Sequence, residues 1–276
     1  MKIDAHQHFW VYDRVRDSWI DDTMKVIRKD FLPSDLAPIY KKNGIDGCVA
    51  VQADQSEKET MFLLEQANGN PFIKGVVGWV DLLSENIEER LAYFSQNKKL
   101  KGIRHIVQAE ANDFMLRTDF QNGIRALHKY DLTYDILVFP TQLPAATKLV
   151  QKFSEQYFVL DHIGKPDIKD GKIKNWKRDI EILSKYPNVY CKISGMFTEA
   201  DWKNWNENDF LTYLDVVFDS FGVNRVLYGS DWPVCLLAAS YKEQLKFLES
   251  YIKKFSALER EKIMGGNALE FYNLNI

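Results

Sequence analysis

Cysteine is scarce in this sequence, with three in 276 residues. Cys48, Cys191 and Cys235 stand far apart and odd in number, with no CxxC and no zinc-ribbon spacing. That excludes a disulfide scaffold and a thiolate zinc module, and it points to reduced thiols in a cytoplasmic setting. Long apolar runs are missing too: none approaches the roughly 20 residues of a membrane-spanning helix. The opening MKIDAHQHFW places Lys2, Asp4, His6 and His8 where an export signal would carry an unbroken apolar segment. No single charge dominates, since 36 Lys and Arg against 39 Asp and Glu give a net charge of −3, without a basic footprint for nucleic acid. Neither G-x-S-x-G nor G-x-x-x-x-G-K-[ST] occurs, so serine-hydrolase and P-loop chemistry lose their main support. No Gly/Ser-rich linker and no repeat divides the chain.

What is present is a globular composition, 46% hydrophobic and 27% charged, with short β-branched runs alternating with amphipathic, capped stretches. Eight such runs predict strands at Lys2–Phe9, Asp46–Gln52, Phe72–Val80, Gly102–Val107, Leu132–Phe139, Tyr157–His162, Val189–Ser194 and Arg225–Ser230. Several, such as GCVAVQ and RVLYGS, lack in/out alternation, as strands covered on both faces do. Ser56 with Glu59, Thr118 with Gln121 and Ser256 with Glu259 read as capping boxes. In NDFLTYLDVVFDSFG, Phe210, Leu214, Val217, Phe218 and Phe221 recur at helical spacing and Gly222 supplies the stop. Lys165–Lys174 is the expected loop excursion. Eight strands with intervening helices favour an α/β fold of one domain over residues 1–276, a closed (β/α)8 TIM barrel, over an open doubly wound sheet. Function then belongs at the C-terminal ends of the strands.

His6 and His8 end the first run two residues apart, so both imidazoles point to one side and can converge on an ion or a substrate atom. The blander reading is two unrelated histidines near a terminus. Asp161 and His162 close the sixth run, one of them facing the mouth, although a histidine here also suits a core position bonded to a backbone carbonyl. Asp231 closes the eighth run in GSDWP, where a carboxylate needs a cation, a histidine or water; it is the general-base candidate, with a helix N-cap as the rival role. Arg104 and His105 after the fourth run, Trp79 and Asp81 after the third, Lys165 and Trp232 are candidates for a polar ligand pocket, Arg104 foremost because a guanidinium presents a fork of donors. His128 reads as a surface residue, and Cys191 and Cys235 as small apolar fillers.

DAHQHFW, GIRH, LDHIGKP and GSDWP, in this order along the whole chain, resemble the amidohydrolase superfamily, and most closely its amidohydrolase-related branch of lactonases that act on L-fucono- and L-rhamnono-lactones. The resemblance implies a barrel that hydrolyses at its mouth. It places the H-x-H pair on His6 and His8, the histidine after strand six on His162, and the water-activating aspartate on Asp231. A mononuclear site for one divalent ion such as zinc, on His6, His8 and Asp231 with His162 as a further ligand, is chemically sensible, while similar lactonases that work without metal leave metal-independent catalysis open. The Lys or Glu after strand four and the His after strand five that two-metal members carry are replaced by Arg104 and His105 and by a histidine-free YDILVF, which argues against a binuclear centre. The expected activity is the opening of a small-molecule sugar lactone to its aldonic acid, with Arg104, His105, Lys165, Trp79 and Trp232 binding the substrate. The alternatives are a decarboxylase or hydratase of an unsaturated dicarboxylate, held by Arg104 and Lys165, and a silent barrel that only binds sugar acids.

Overall fold

The eight apolar runs pair in chain order. In a computed structural model describing residues 1–275, β1 (Ile3–Gln7), β2 (Gly47–Val51), β3 (Ile73–Gly78), β4 (Leu100–Ile106), β5 (Thr133–Leu137), β6 (Phe158–Leu160), β7 (Val189–Ile193) and β8 (Val226–Tyr228) form one parallel sheet ordered β1 to β8. Parallel neighbours need crossovers. These are α1 (Pro33–Asn43), α2 (Glu57–Gly69), α3 (Ile87–Phe94), α4 (Thr118–Leu127), α5 (Leu143–Lys152), α6 (Lys174–Leu183) and α7 (Asn208–Phe221), and α8 (Tyr241–Tyr251) follows the last strand. The architecture is the expected single-domain (β/α)8 barrel.

The last strand meets the first at the mouth, where His8 N donates to Trp232 O at 2.7 Å and Asp231 N donates to His6 O at 2.8 Å. The seam therefore joins the two segments carrying the candidate histidines and aspartate. The buried Asp4 carboxylate fastens it: Oδ1 accepts from Ser230 N at 2.8 Å and His6 N at 3.2 Å, while Oδ2 accepts from the Tyr40 hydroxyl at 2.9 Å and the Tyr241 hydroxyl at 3.2 Å.

β1 is irregular between Asp4 and Gln7: it advances from Asp4 to Gln7 while β2 advances only from Cys48 to Ala50. The extra residue reverses which face each side chain meets. Before the irregularity Ile3 and Ala5 join Val49, Val51, Val77, Val159 and Leu227 in an apolar cluster inside the barrel, while Asp4 points out toward Tyr40. After it, His6 and His8 face the interior and Gln7 turns out to Cys48. At the opposite end from the mouth, α9 (Ala257–Glu261) and α10 (Asn267–Phe271) bring Phe271, Tyr272 and Leu274 against the same apolar cluster.

Helix starts agree with expectation in part. Ser256 and Glu259 form a reciprocal box, and so do Ser240 and Glu243 at the start of α8, which the sequence reading passed over. At α2 only half a box forms: Ser56 accepts from Glu59 N, but the Glu59 carboxylate turns to Ala53 N. The box at Thr118 is absent, because α4 begins at Thr118 itself after Arg117, and Gln121 donates instead to Met115 O. The stripe on α7 is buried throughout and the helix stops at Gly222, whose φ is +66°.

Candidate active site

Three imidazoles converge on one carboxylate oxygen. Asp231 Oδ1 lies 3.3 Å from His8 Nε2, 3.8 Å from His6 Nε2 and 4.0 Å from His162 Nε2. All four side chains are buried. β1 and the loop after it deliver His6 and His8; Asp231 follows β8 across the seam. His162 arrives by a different device. His162, Ile163, Gly164 and Lys165 all take left-handed backbone, with φ of +53°, +50°, +75° and +48°, a conformation that costs a non-glycine residue about 1–2 kcal/mol. This tight turn directly after β6 swings the His162 ring over the barrel to within 4.4 Å of the His6 ring, centroid to centroid. Asp231 shares the left-handed conformation, with φ of +56°. Strain concentrated on functional side chains is maintained by the packing around them. Gly195 makes room, since a Cβ there would collide with the His162 ring, and a Cβ on Gly229 would meet His6 Cβ at 2.7 Å.

Hydrogen bonds behind the rings set their orientation. His8 Nδ1 lies 2.7 Å from Val51 O, a pure acceptor, so Nδ1 carries the proton and Nε2 presents a lone pair. His6 Nδ1 lies 3.2 Å from both Asp161 Oδ1 and Lys192 Nζ; the ammonium is closer to the Asp135 and Asp161 carboxylates, which take its protons, so Nδ1 keeps its own toward Asp161 and the tautomer is the same. His162 Nδ1 contacts Ser194 Oγ at 3.0 Å. Burial holds His6 and His162 well below their usual pKa, so both are neutral at neutral pH. Burial pushes Asp231 up, yet its carboxyl stays below the usual range, and hence ionised, with His162, His8 and the Lys165 ammonium around it.

Two bare Nε2 atoms, of His6 and His8, stand 3.2 Å apart. Lone pairs that close call for a cation between or beside them. Arg104 Nη1 is one, at 3.3 Å from His6 Nε2. A divalent ion is another: bonds of about 2.0–2.2 Å in a tetrahedron separate ligand atoms by about 3.3–3.6 Å, and the His6, His8 and Asp231 atoms are 3.2, 3.3 and 3.8 Å apart. This donor set fits zinc. The other grouping, His6, Asp161 and His162, fits poorly, because Asp161 already serves Arg104, Lys192 and His6.

The remaining candidates divide. Arg104 points into the barrel, buried, with Nη1 3.0 Å from Asp161 Oδ2 and Nη2 bonded to Gln52 O. His105, next along the strand, faces outward: its ring stacks on Phe114 at 4.9 Å and Nε2 meets Glu110 at 3.2 Å. It is separated from the mouth, because neighbouring strand residues point to opposite faces. Lys165 is held by Glu199, Nζ to Oε1 2.5 Å. Trp232 is buried against Phe9 and Phe31, and Trp79 is half-buried with its backbone tied to the Thr60 hydroxyl; both indole N–H groups are buried with no protein partner among the described residues. Asp81 and His128 are exposed. Cys235, beside the site, is buried and burial pushes its thiol pKa well up, which suits an inert filler.

Sequence reasoning missed Lys192 on β7 and Asp135 on β5, both wholly buried below the imidazoles. A lone lysine inside the apolar run VYCKIS was the available signal, because a strand covered on both faces offers an ammonium no water.

A family model for amidohydrolases matches residues 3–274. The chain belongs to the amidohydrolase family. Among curated relatives, this amidohydrolase is 40% identical to an L-fucono-1,5-lactonase of Burkholderia multivorans, over 99% of this chain and 96% of that protein. It is 35% identical to an L-fucono-1,5-lactonase of Burkholderia ambifaria, again over 99% and 96%. Among solved structures, it resembles a Burkholderia multivorans amidohydrolase with bound zinc, with a TM-score of 0.97, 39% identity and complete coverage of both chains.

Proposed function

We propose that this amidohydrolase opens a sugar lactone to its aldonic acid, and that the substrate is a deoxy-sugar lactone of the L-fucono or L-rhamnono type. The observation that carries the reading is the convergence of the His6, His8 and His162 Nε2 atoms on Asp231 Oδ1, in a chain whose full-length relatives are named L-fucono-1,5-lactonases.

Asp231, ionised and buried, takes a proton from water, and the water oxygen bonds to the lactone carbonyl carbon. The Arg104 guanidinium beside His6, and His162 Nε2–H with Ser194 Oγ donating to Nδ1, stabilise the charge that develops on the carbonyl oxygen, while the Nε2 lone pairs of His6 and His8 are the ones that would hold a divalent ion. The ring C–O bond then breaks and the proton passes from Asp231 to the departing alcohol oxygen. A zinc ion, when held by His6, His8 and Asp231, supplies Lewis-acid polarisation of the carbonyl and acidifies the attacking water. The substrate is an activated ester, and expelling an alcohol asks less of these imidazoles than expelling an amine.

The decarboxylase or hydratase reading needs Arg104 and Lys165 free for two substrate carboxylates, and both are already paired, with Asp161 and Glu199. The half-buried Trp79, whose indole N–H has no protein partner among the described residues, suits a sugar hydroxyl instead, whereas Trp232 is packed into the core behind the mouth. No helix among the described residues is long and apolar enough to cross a membrane, and the three free, buried cysteines support a cytoplasmic setting. A panel of sugar lactones assayed with a pH indicator, with and without chelator, tests the proposal. Acid release from the deoxy-sugar lactones supports it; inert lactones together with turnover of a dicarboxylate would replace it with the rival reading.

A further inference from the structure

Below the imidazoles lies a buried polar layer that the hydrolysis described above leaves without a task. Lys192 is fully buried, and its ammonium lies 2.5 Å from Asp135 Oδ2, 3.0 Å from Asp161 Oδ1 and 3.2 Å from His6 Nδ1. Asp135 is in turn fastened by the Tyr272 hydroxyl, 2.8 Å from the same Oδ2, and the Lys192 ammonium sits 5.5 Å from the centre of the Tyr272 ring. Two carboxylates, Asp135 and Asp161, thus face two cations, Lys192 and Arg104. A chain of polar contacts runs from the closed end of the barrel to the mouth: Tyr272, Asp135, Lys192, Asp161, His6.

We propose that Lys192 is a positioning residue for the lactone hydrolysis, holding Asp161 so that it keeps the His6 ring turned with Nε2 toward the mouth; this rests on the reading of that mouth as the hydrolytic site. Asp161 lies just beyond β6, ahead of the left-handed turn, so no strand pairing fixes its side chain. Two cations do. Arg104 takes Oδ2 at 3.0 Å, and Lys192 takes Oδ1, the oxygen that faces His6. Without the ammonium, the carboxylate is free to rotate into a two-oxygen grip with the Arg104 fork, the favoured geometry for that pair, and His6 Nδ1 loses its acceptor. Lys192 lies beneath the imidazoles and touches no substrate, so its removal acts on turnover and spares substrate affinity.

The test is a mutant cycle read by kinetics and by imidazole nitrogen NMR on histidine-labelled protein, where only five histidines contribute and His6→Gln assigns the His6 signals. Lys192→Met is expected to lower kcat by at least about 30-fold with KM within about twofold, the range for partners that orient site histidines. It should also move the His6 signals away from the Nδ1-protonated tautomer. On the Asp161→Asn background the same change should cost less than about threefold, because the carboxylate through which it acts is gone and the 3.2 Å approach of Nζ to a protonated Nδ1 is no hydrogen bond. Losses that multiply across the two substitutions, or unchanged kcat and His6 signals in folded Lys192→Met, overturn the proposal. Should Lys192→Met not fold, Tyr272→Phe, which removes one hydroxyl, takes its place: a lower kcat at constant KM with perturbed His6 signals supports the brace, and wild-type values for both overturn it. If the wild-type protein opens no lactone, the functional reading fails, while the His6 tautomer still decides whether Lys192 braces Asp161.

Discussion

Nε2 of His6 and Nε2 of His8 stand 3.2 Å apart, each ring having spent its Nδ1 proton on an acceptor behind it, Asp161 Oδ1 and Val51 O. Two lone pairs so disposed, with Asp231 Oδ1 at 3.3 and 3.8 Å from them, have the spacing that would suit one divalent ion. Elemental analysis of protein dialysed against zinc should find at most one tightly held ion per chain, and His8→Gln should lose it. Two tightly held ions per chain would contradict this geometry.

Asp4 holds the barrel seam from outside. It accepts two backbone N–H groups and two tyrosine hydroxyls while fully buried. Asp4→Ala leaves those donors unpartnered and should cost at least about 3 kcal/mol in chemical denaturation. Asp4→Asn keeps an acceptor for the backbone and lets the hydroxyls reorient, so it should cost about 1 kcal/mol. Equal losses for the two variants would show that the seam does not depend on the acceptor.

Glu59, buried near the start of α2, has its carboxyl pKa pushed from 4.5 up to about 7 by burial. The folded protein therefore holds a proton that the unfolded chain has released, and stability is lost as pH rises from 4.5 to about 7, then levels off. Glu59→Gln removes this loss. The variant should match wild type below pH 4.5 and exceed it by about 3 kcal/mol above pH 7, since one pKa unit is about 1.4 kcal/mol. Parallel stability curves for the two proteins across that window would refute it.

The barrel was legible because strands covered on both faces are written as unbroken apolar runs. β4 nevertheless begins two residues before the expected Gly102, and the expected sixth strand runs two residues too far: β6 ends at Leu160, Asp161 lies beyond it and His162 opens the left-handed turn. Arg104 and His105 were both read as pocket residues, although a period of two allows only one of two neighbours on a strand to reach the mouth. The irregularity in β1 was not readable at all: it leaves no residue signature in DAHQH, yet it decides that Asp4 faces the helices and His6 the interior. Lys192 could have been suspected from its place in an apolar run, but its partner Asp135 sits two strands away, and only the closed sheet brings the two together.

In the proposed reaction Asp231 activates water against a sugar lactone. The direct measurement is acid release from L-fucono-1,5-lactone by wild-type protein and by Asp231→Asn, each with its fold verified by thermal melting. Rapid turnover by the wild type and a loss of at least about 100-fold in the variant, the scale of a missing general base, is the predicted result. Near-normal turnover by Asp231→Asn would contradict the account.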